Sequence, residues 1–223
     1  MILLKNLRYM AFSLALLLVT PGVWGQAAYT WDGGAGTQSA GDAANWDPDG
    51  IPGSNDTVIF NTVATVDMPF NTTVRYVTVE GTGNVTLTGG GTLTVSNVTN
   101  DGIIAVGDNT LIATGGTGIT GGTVTIGNGT LDATGTISTL ASTGNATVDG
   151  NTGLIITGDS SGDLTTDGEV TLHGAGIGTL TVNAGSILTL NGDLTASGTV
   201  TNGNTIAVGD NTLIATGGTG ITG

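Results

Sequence analysis

Residues 122–129 read GTVTIGNG. Val124 and Ile126 alternate with Thr123 and Thr125, a period of two built from β-branched residues, and Asn128-Gly129 then supplies the positive φ of a tight turn. That is the signature of a short strand with one buried face and one wet face. The pattern returns in TVRYVTVE (73–80), NVTLTG (84–89), GTLTVSN (91–97), EVTLHG (169–174), GTLTVNAG (178–185) and SILTLNG (186–192), with further corners at Asp149-Gly150 and Asn191-Gly192. No window of a dozen residues carries a helical stripe, so the chain reads as all-β.

Side-chain size then narrows the all-β architectures. No aromatic residue follows Tyr76, and a two-sheet sandwich would need large side chains between its layers. A parallel β-helix (β-solenoid) needs only a thin interior of Val, Ile, Leu, Ala and Thr with Gly and Asn at the corners, where stacked Asn side chains can form ladders. Repetition points the same way: IAVGDNTLIATGGTGITG occupies 104–121 and again, unchanged, 206–223. Identity at every position exceeds what packing alone would enforce, since a core tolerates exchange among Ile, Val and Leu. The solenoid is expected over 72–223, several coils to each repeat.

Composition bounds the function. The 223 residues include 41 Gly, about two and a half times the ~7% of average usage, but only 4 Pro and no Cys. Disulfides, thiol catalysis and zinc-thiolate sites are thereby removed. Lys5 and Arg8 precede an apolar run from Met10 to Val19, broken at Pro21, and residues 1–25 read as a signal peptide cut after Gly25, or alternatively after Ala27 or Ala28. The remaining chain keeps Arg75 alone against 17 acids, a formal charge of −16. Such a surface repels polyanions, which excludes nucleic acid as a partner and membrane insertion by the mature fragment.

Residues 26–71 differ in composition from the rest of the mature chain and are expected to cap the first coil. TWDGGAG (30–36) and AANWDPDGIPGSNDTVIF (43–60) resemble the opening of autotransporter-like and other repeat-rich bacterial surface proteins, in which such a segment precedes a β-helix. The resemblance implies an adhesin, surface-layer component or displayed passenger at the cell exterior or outer membrane, with surface glycans or receptors on host or neighbouring cells as partners. Nothing after the second repeat reads as a cap, and the solenoid is expected to continue, with the anchor in a further C-terminal region.

Candidate chemistry is sparse. Trp31 and Trp46 would serve either as a sugar-stacking platform or as a hydrophobic cap. His173 is the single His and is expected to be an ordinary strand or corner residue. Asp159, Asp163, Asp167 and Glu169 lie close enough in sequence for a glycosidase pair, though their Gly, Ser and Thr neighbours suit a solvated loop better. For calcium, Asp47, Asp49, Asn55, Asp56 and the corners Asp108-Asn109 and Asp210-Asn211 offer hard oxygen ligands, set against a purely geometric role as turn residues. No other cofactor is expected. Thr-x-Thr pairs, such as Thr92 with Thr94 and Thr123 with Thr125, raise ice binding, but their irregular spacing argues against a flat array. The expectation is a non-catalytic stalk or adhesive module, with a carbohydrate-active β-helix enzyme as the rival.

Overall fold

The computed structural model describes residues 26–68, 71–149, 154–156, 160–172, 175–217 and 220–223. The leader read over 1–25, together with Asp159 and His173, lies outside them. Short strands joined by tight corners wind into a three-faced parallel β-solenoid of about eight turns.

Each turn visits the faces in a fixed order. The first stacks Ala28–Trp31, Thr57–Phe60, residues 76–79, 97–100 and 118–120, Gly135–Ile137, Leu154–Ile156, Glu169–Leu172, Ile187–Leu190 and Thr205–Ala207. The second stacks Val63–Asp67, Asn84–Thr88, Ile103–Gly107, Thr123–Ile126, residues 139–142, 160–162 and 175–177, Leu194–Ala196 and Leu213–Ala215. The third stacks residues 72–74, 92–95 and 110–113, Thr130–Ala133, residues 146–149, 164–167 and 180–182, Val200–Asn202 and Ile221–Thr222. The step along the chain between stacked partners is not constant: it is short from Leu164 to Leu180 and longer from Val98 to Ile119. The corners take up the difference, so register is kept while spacing is not.

Alternation in sequence becomes alternation in burial. In Thr123–Ile126 the two Thr are partly exposed while Val124 and Ile126 are buried, and the same in-out pattern recurs in most strands. Inward residues stack on their like: Val85, Ile104, Val124 and Leu140 on the second face, Leu93, Leu111, Leu131 and Val148 on the third. Each contributes about 1.5–3 kcal/mol by leaving water. Polar residues in this interior are paired where they can be. Asn100 donates from Nδ2 to the Thr123 carbonyl at 3.0 Å and accepts from the Gly102 N–H at 3.2 Å.

Corner side chains tie coils together, but not as the expected ladder of stacked Asn amides. They bond mainly to backbone: Asn97 Oδ1 accepts from Thr117 N at 2.8 Å, Asp108 Oδ1 from Asn128 N at 2.9 Å and Asp193 Oδ1 from Thr212 N at 2.8 Å. Corner lengths differ between coils, so like residues do not align there, whereas a main-chain N–H is present at every corner.

The N-terminal segment does more than cap. Its residues from Thr57 already supply two of the three strands of the first coil, residues 72–74 completing it, so stacking begins before residue 72. Below that coil, Ala28–Trp31 adds in parallel to Thr57–Phe60 and is itself blocked by Trp46–Asp47, the one antiparallel partner among the described strands. The indoles of Trp31 and Trp46 meet edge to face at 5.0 Å, and Phe60 lies 6.1 Å from Trp46.

Replacement of Leu131, fully buried in a central coil, by Ala is expected to cost about 2–5 kcal/mol. Ile214→Ala, at a position 46% exposed, should stay within about 0.5 kcal/mol. Chemical denaturation followed by circular dichroism separates the two.

Candidate functional site

Outward residues form columns as regular as the inward ones. On the third face Thr92, Thr110, Thr130, Thr147, Thr165, Thr181, Thr201 and Thr222 stand in eight consecutive coils, each directly opposite the next. At ~4.8 Å per coil the column runs for about 34 Å. Thr fits because its branched Cβ suits the pleat while its hydroxyl stays at the surface. On the first face Thr78, Thr99, Thr120 and Thr136 make a second column, interrupted by Ile155 and resumed at Thr171 and Thr189.

Sequence spacing hid these columns. In the longer one, the step from Thr165 to Thr181 is shorter than the step from Thr201 to Thr222, which looks irregular along the chain and becomes regular only once the corners absorb the difference. Two of the Thr-x-Thr pairs do not stack as pairs: Thr92 and Thr94 lie beneath Thr110 and Ile112, and those beneath Thr130 and Asp132. Thr123 and Thr125 lie beneath Thr139 and Ala141. Thr179 and Thr181, by contrast, stand level with Thr199 and Thr201.

Beside the long Thr column, Asp132, Asp149 and Asp167 occupy neighbouring coils. Like charges stacked this closely repel, and hydrogen bonds offset part of that cost. Asp167 Oδ1 accepts from Gly168 N and from Ser186 Oγ, both at 3.0 Å.

The carboxylates proposed for catalysis do not converge. Asp163 and Asp167 both lie in the strand Ser160–Asp167, which sets their Cα atoms about 13 Å apart. Asp163 Oδ1 already accepts from Thr179 N at 2.5 Å. Glu169 is carried past the corner at Gly168 (φ +63°) onto the next face.

The calcium candidates are similarly dispersed. Asp56 is committed to the fold, with Oδ1 accepting from Ala27 N at 2.9 Å and Oδ2 from Gly53 N at 2.8 Å. Asp47, Asp49, Asn55 and Asp210 are exposed. Asp108 holds the next coil, as described, and buried Asn109 donates from Nδ2 to the Val106 carbonyl at 2.9 Å. Its copy Asn211 reaches the Leu190 carbonyl at 2.9 Å. Among the described residues no group of three or more His, Cys, Asp or Glu is disposed to hold a metal ion.

Trp31 and Trp46 resolve towards packing. Both are buried, and Trp46 Nε1 donates to the Ala40 carbonyl at 3.1 Å, so neither indole offers a face for a sugar ring. Asn45 beside them is also buried, accepting from Ala35 N at 3.1 Å and donating to Thr37 Oγ1 at 2.9 Å and the Ser39 carbonyl at 3.0 Å. An apolar cavity of about 220 Å³ lies next to this cap, lined by Trp46, Phe60, Met68, Leu87 and Leu93. Thr72 also lines it, and its hydroxyl is buried without a hydrogen-bond partner.

Comparison with protein-family models, with curated proteins and with solved structures returned no match to this chain.

If Asp108 serves as a geometric corner residue, Asp108→Asn keeps the acceptor and should leave stability within about 0.5 kcal/mol, whereas Asp108→Ala should cost about 0.5–1.5 kcal/mol. Urea midpoints of the three proteins measure both.

Proposed function

We propose that this protein is an exported, non-catalytic solenoid rod that acts as a structural stalk or adhesive module at the cell exterior, its partners being surface glycans or receptors on neighbouring cells. The observation that carries this reading is the Thr column of eight consecutive coils on one face. A hydroxyl repeated every ~4.8 Å along a stiff parallel stack presents many weak and equivalent contacts to an extended polyhydroxylated partner. Binding along such a face is multivalent, and each added contact forms at the effective concentration set by those already made. No deep polar pocket is needed for that mode of attachment. The acidic surface supports a role outside the cell by discouraging self-association and adsorption to polyanions. The carboxylates close in sequence, Asp163, Asp167 and Glu169, are spread over two faces and give no support to a hydrolase or lyase built on them.

Changing Thr130, Thr147 and Thr165 to Val removes three hydroxyls while keeping the branched shape. Retention on immobilised cell-surface polysaccharide is expected to fall about tenfold, on the basis of ~0.5 kcal/mol per hydroxyl, with the denaturation midpoint unchanged. Unaltered retention would refute a role for this face, and release of soluble sugar by the unmodified protein would refute the non-catalytic reading.

A further inference from the structure

Asn-Gly pairs occur in the sequence at 128–129, 191–192 and 202–203, each where a strand gives way to a corner. This dipeptide carries a latent reaction. The main-chain nitrogen of the residue after Asn can attack the side-chain Cγ, and Gly opposes the attack least, having no side chain to crowd it and the widest choice of backbone angles. The reaction needs a nitrogen free to approach and a corner free to bend. The fold supplies these unequally.

Two of the pairs are tied down. Gly129 N donates to Gly107 O at 3.1 Å and Gly203 N to Val182 O at 2.7 Å, both carbonyls belonging to the coil beneath. The Asn side chains are engaged as well: Asn128 Nδ2 donates to Asp108 Oδ1 at 3.2 Å, and Asn202 Oδ1 accepts from Asn204 N at 3.2 Å. Space is equally short, since a Cβ on Gly129 would collide with the Asn109 and Gly107 carbonyls, and one on Gly203 would stand 2.7 Å from Val182 O. Asn191 is different. It is exposed, and among the described residues neither its side chain nor the Gly192 N–H has a hydrogen-bond partner. Bonds around this pair hold its flanks instead: Asn191 N donates to Leu172 O at 2.8 Å, Asn211 Nδ2 to Leu190 O at 2.9 Å and Thr212 N to Asp193 Oδ1 at 2.8 Å. The attacking nitrogen is thus left free between anchored neighbours.

We propose that Asn191-Gly192 is a self-modification site, at which the folded chain converts its own Asn to isoaspartate. The Gly192 nitrogen gives its proton to solvent hydroxide and bonds to Asn191 Cγ. The Cγ–Nδ2 bond then breaks, and the departing nitrogen takes a proton from water and leaves as ammonia, closing a five-membered succinimide. Water opens either imide carbonyl, giving isoaspartate or Asp. Solvent supplies every co-reactant. Each event places a new carboxylate two residues from Asp193, and the isoaspartate product lengthens the main chain by one methylene between Leu190 and Leu194. Both leucines are buried and stacked on neighbouring coils, so the corner between them loosens as the product accumulates. The inference is independent of what the Thr columns bind.

The test follows all three pairs in the unaltered full chain, incubated in mildly alkaline buffer and sampled by peptic digestion and mass spectrometry, with enzymatic methylation to detect isoaspartate. In the folded protein Asn191 is expected to react at least about tenfold faster than Asn128 and Asn202, because at those two a hydrogen-bonded N–H must first be released. Its rate should rise with pH, since the attacking nitrogen must lose its proton. In denaturant the three pairs should react at similar rates, the fold being what separates them. Asn191→Gln should abolish isoaspartate at that position and leave the other two rates as they were. No conversion at Asn191, or Asn128 or Asn202 reacting as fast in the folded protein, overturns the proposal. An unchanged ranking in denaturant also overturns it, by assigning the selectivity to neighbouring residues in sequence.

Discussion

Coil-on-coil contact is the interaction on which everything else in this structure rests. A single coil has three short strands and no interior of its own, since its inward Val, Leu and Ile are covered only by the equivalent residues above and below. The backbone is in the same position, because nearly all strand hydrogen bonds run between coils. Each coil is therefore a template for the next, and stability accrues as a sum over neighbouring interfaces. Termini are the exception, and the N-terminal segment shows one way of handling it. Among the described residues, Trp31, Trp46 and Phe60 seal the apolar interior beneath the first coil, and the antiparallel Trp46–Asp47 ends the ladder.

The template is undemanding about sequence, and the exact repeat demonstrates it. Ile104 lies on the second face, Leu111 on the third and Ile119 on the first, but their copies Ile206, Leu213 and Ile221 lie on the first, second and third. The same string thus folds a third of a turn out of phase. This is possible because each face asks for the same thing, an in-out-in strand of a few residues followed by a corner that glycine can turn. The duplicated unit need not equal a whole number of coils, and the interior still closes.

Such tolerance explains what the sequence revealed and what it concealed. Period-two alternation in TVTI and its relatives, the absence of aromatics after Tyr76 and the exact repeat were enough to read a solenoid, because strand type and core thickness are local properties. Register is not local. It depends on how many residues each corner consumes, and because that number changes from coil to coil, nothing in the linear spacing shows that Thr92 and Thr222 share one column. The carboxylates suffered in the opposite sense. Asp163, Asp167 and Glu169 look adjacent in sequence, yet an extended strand and one corner distribute them over two faces. The Trp pair was ambiguous for a different reason, since an indole beside Asp and Gly fits a cap or a sugar platform equally well, and only burial separates these.

The same constraint shapes the outward surface. Outward positions escape the packing demands placed on inward ones, so their composition is free to vary from coil to coil, as Ile112, Asp132 and Asp149 do in one column. Against that freedom, Thr persists through eight coils in the neighbouring column. β propensity accounts for Thr as a good choice at any one of those positions. It does not account for the contrast between two columns that share a face, the same twist and the same solvent. A property of the column as a whole, an uninterrupted line of hydroxyls, is what distinguishes it.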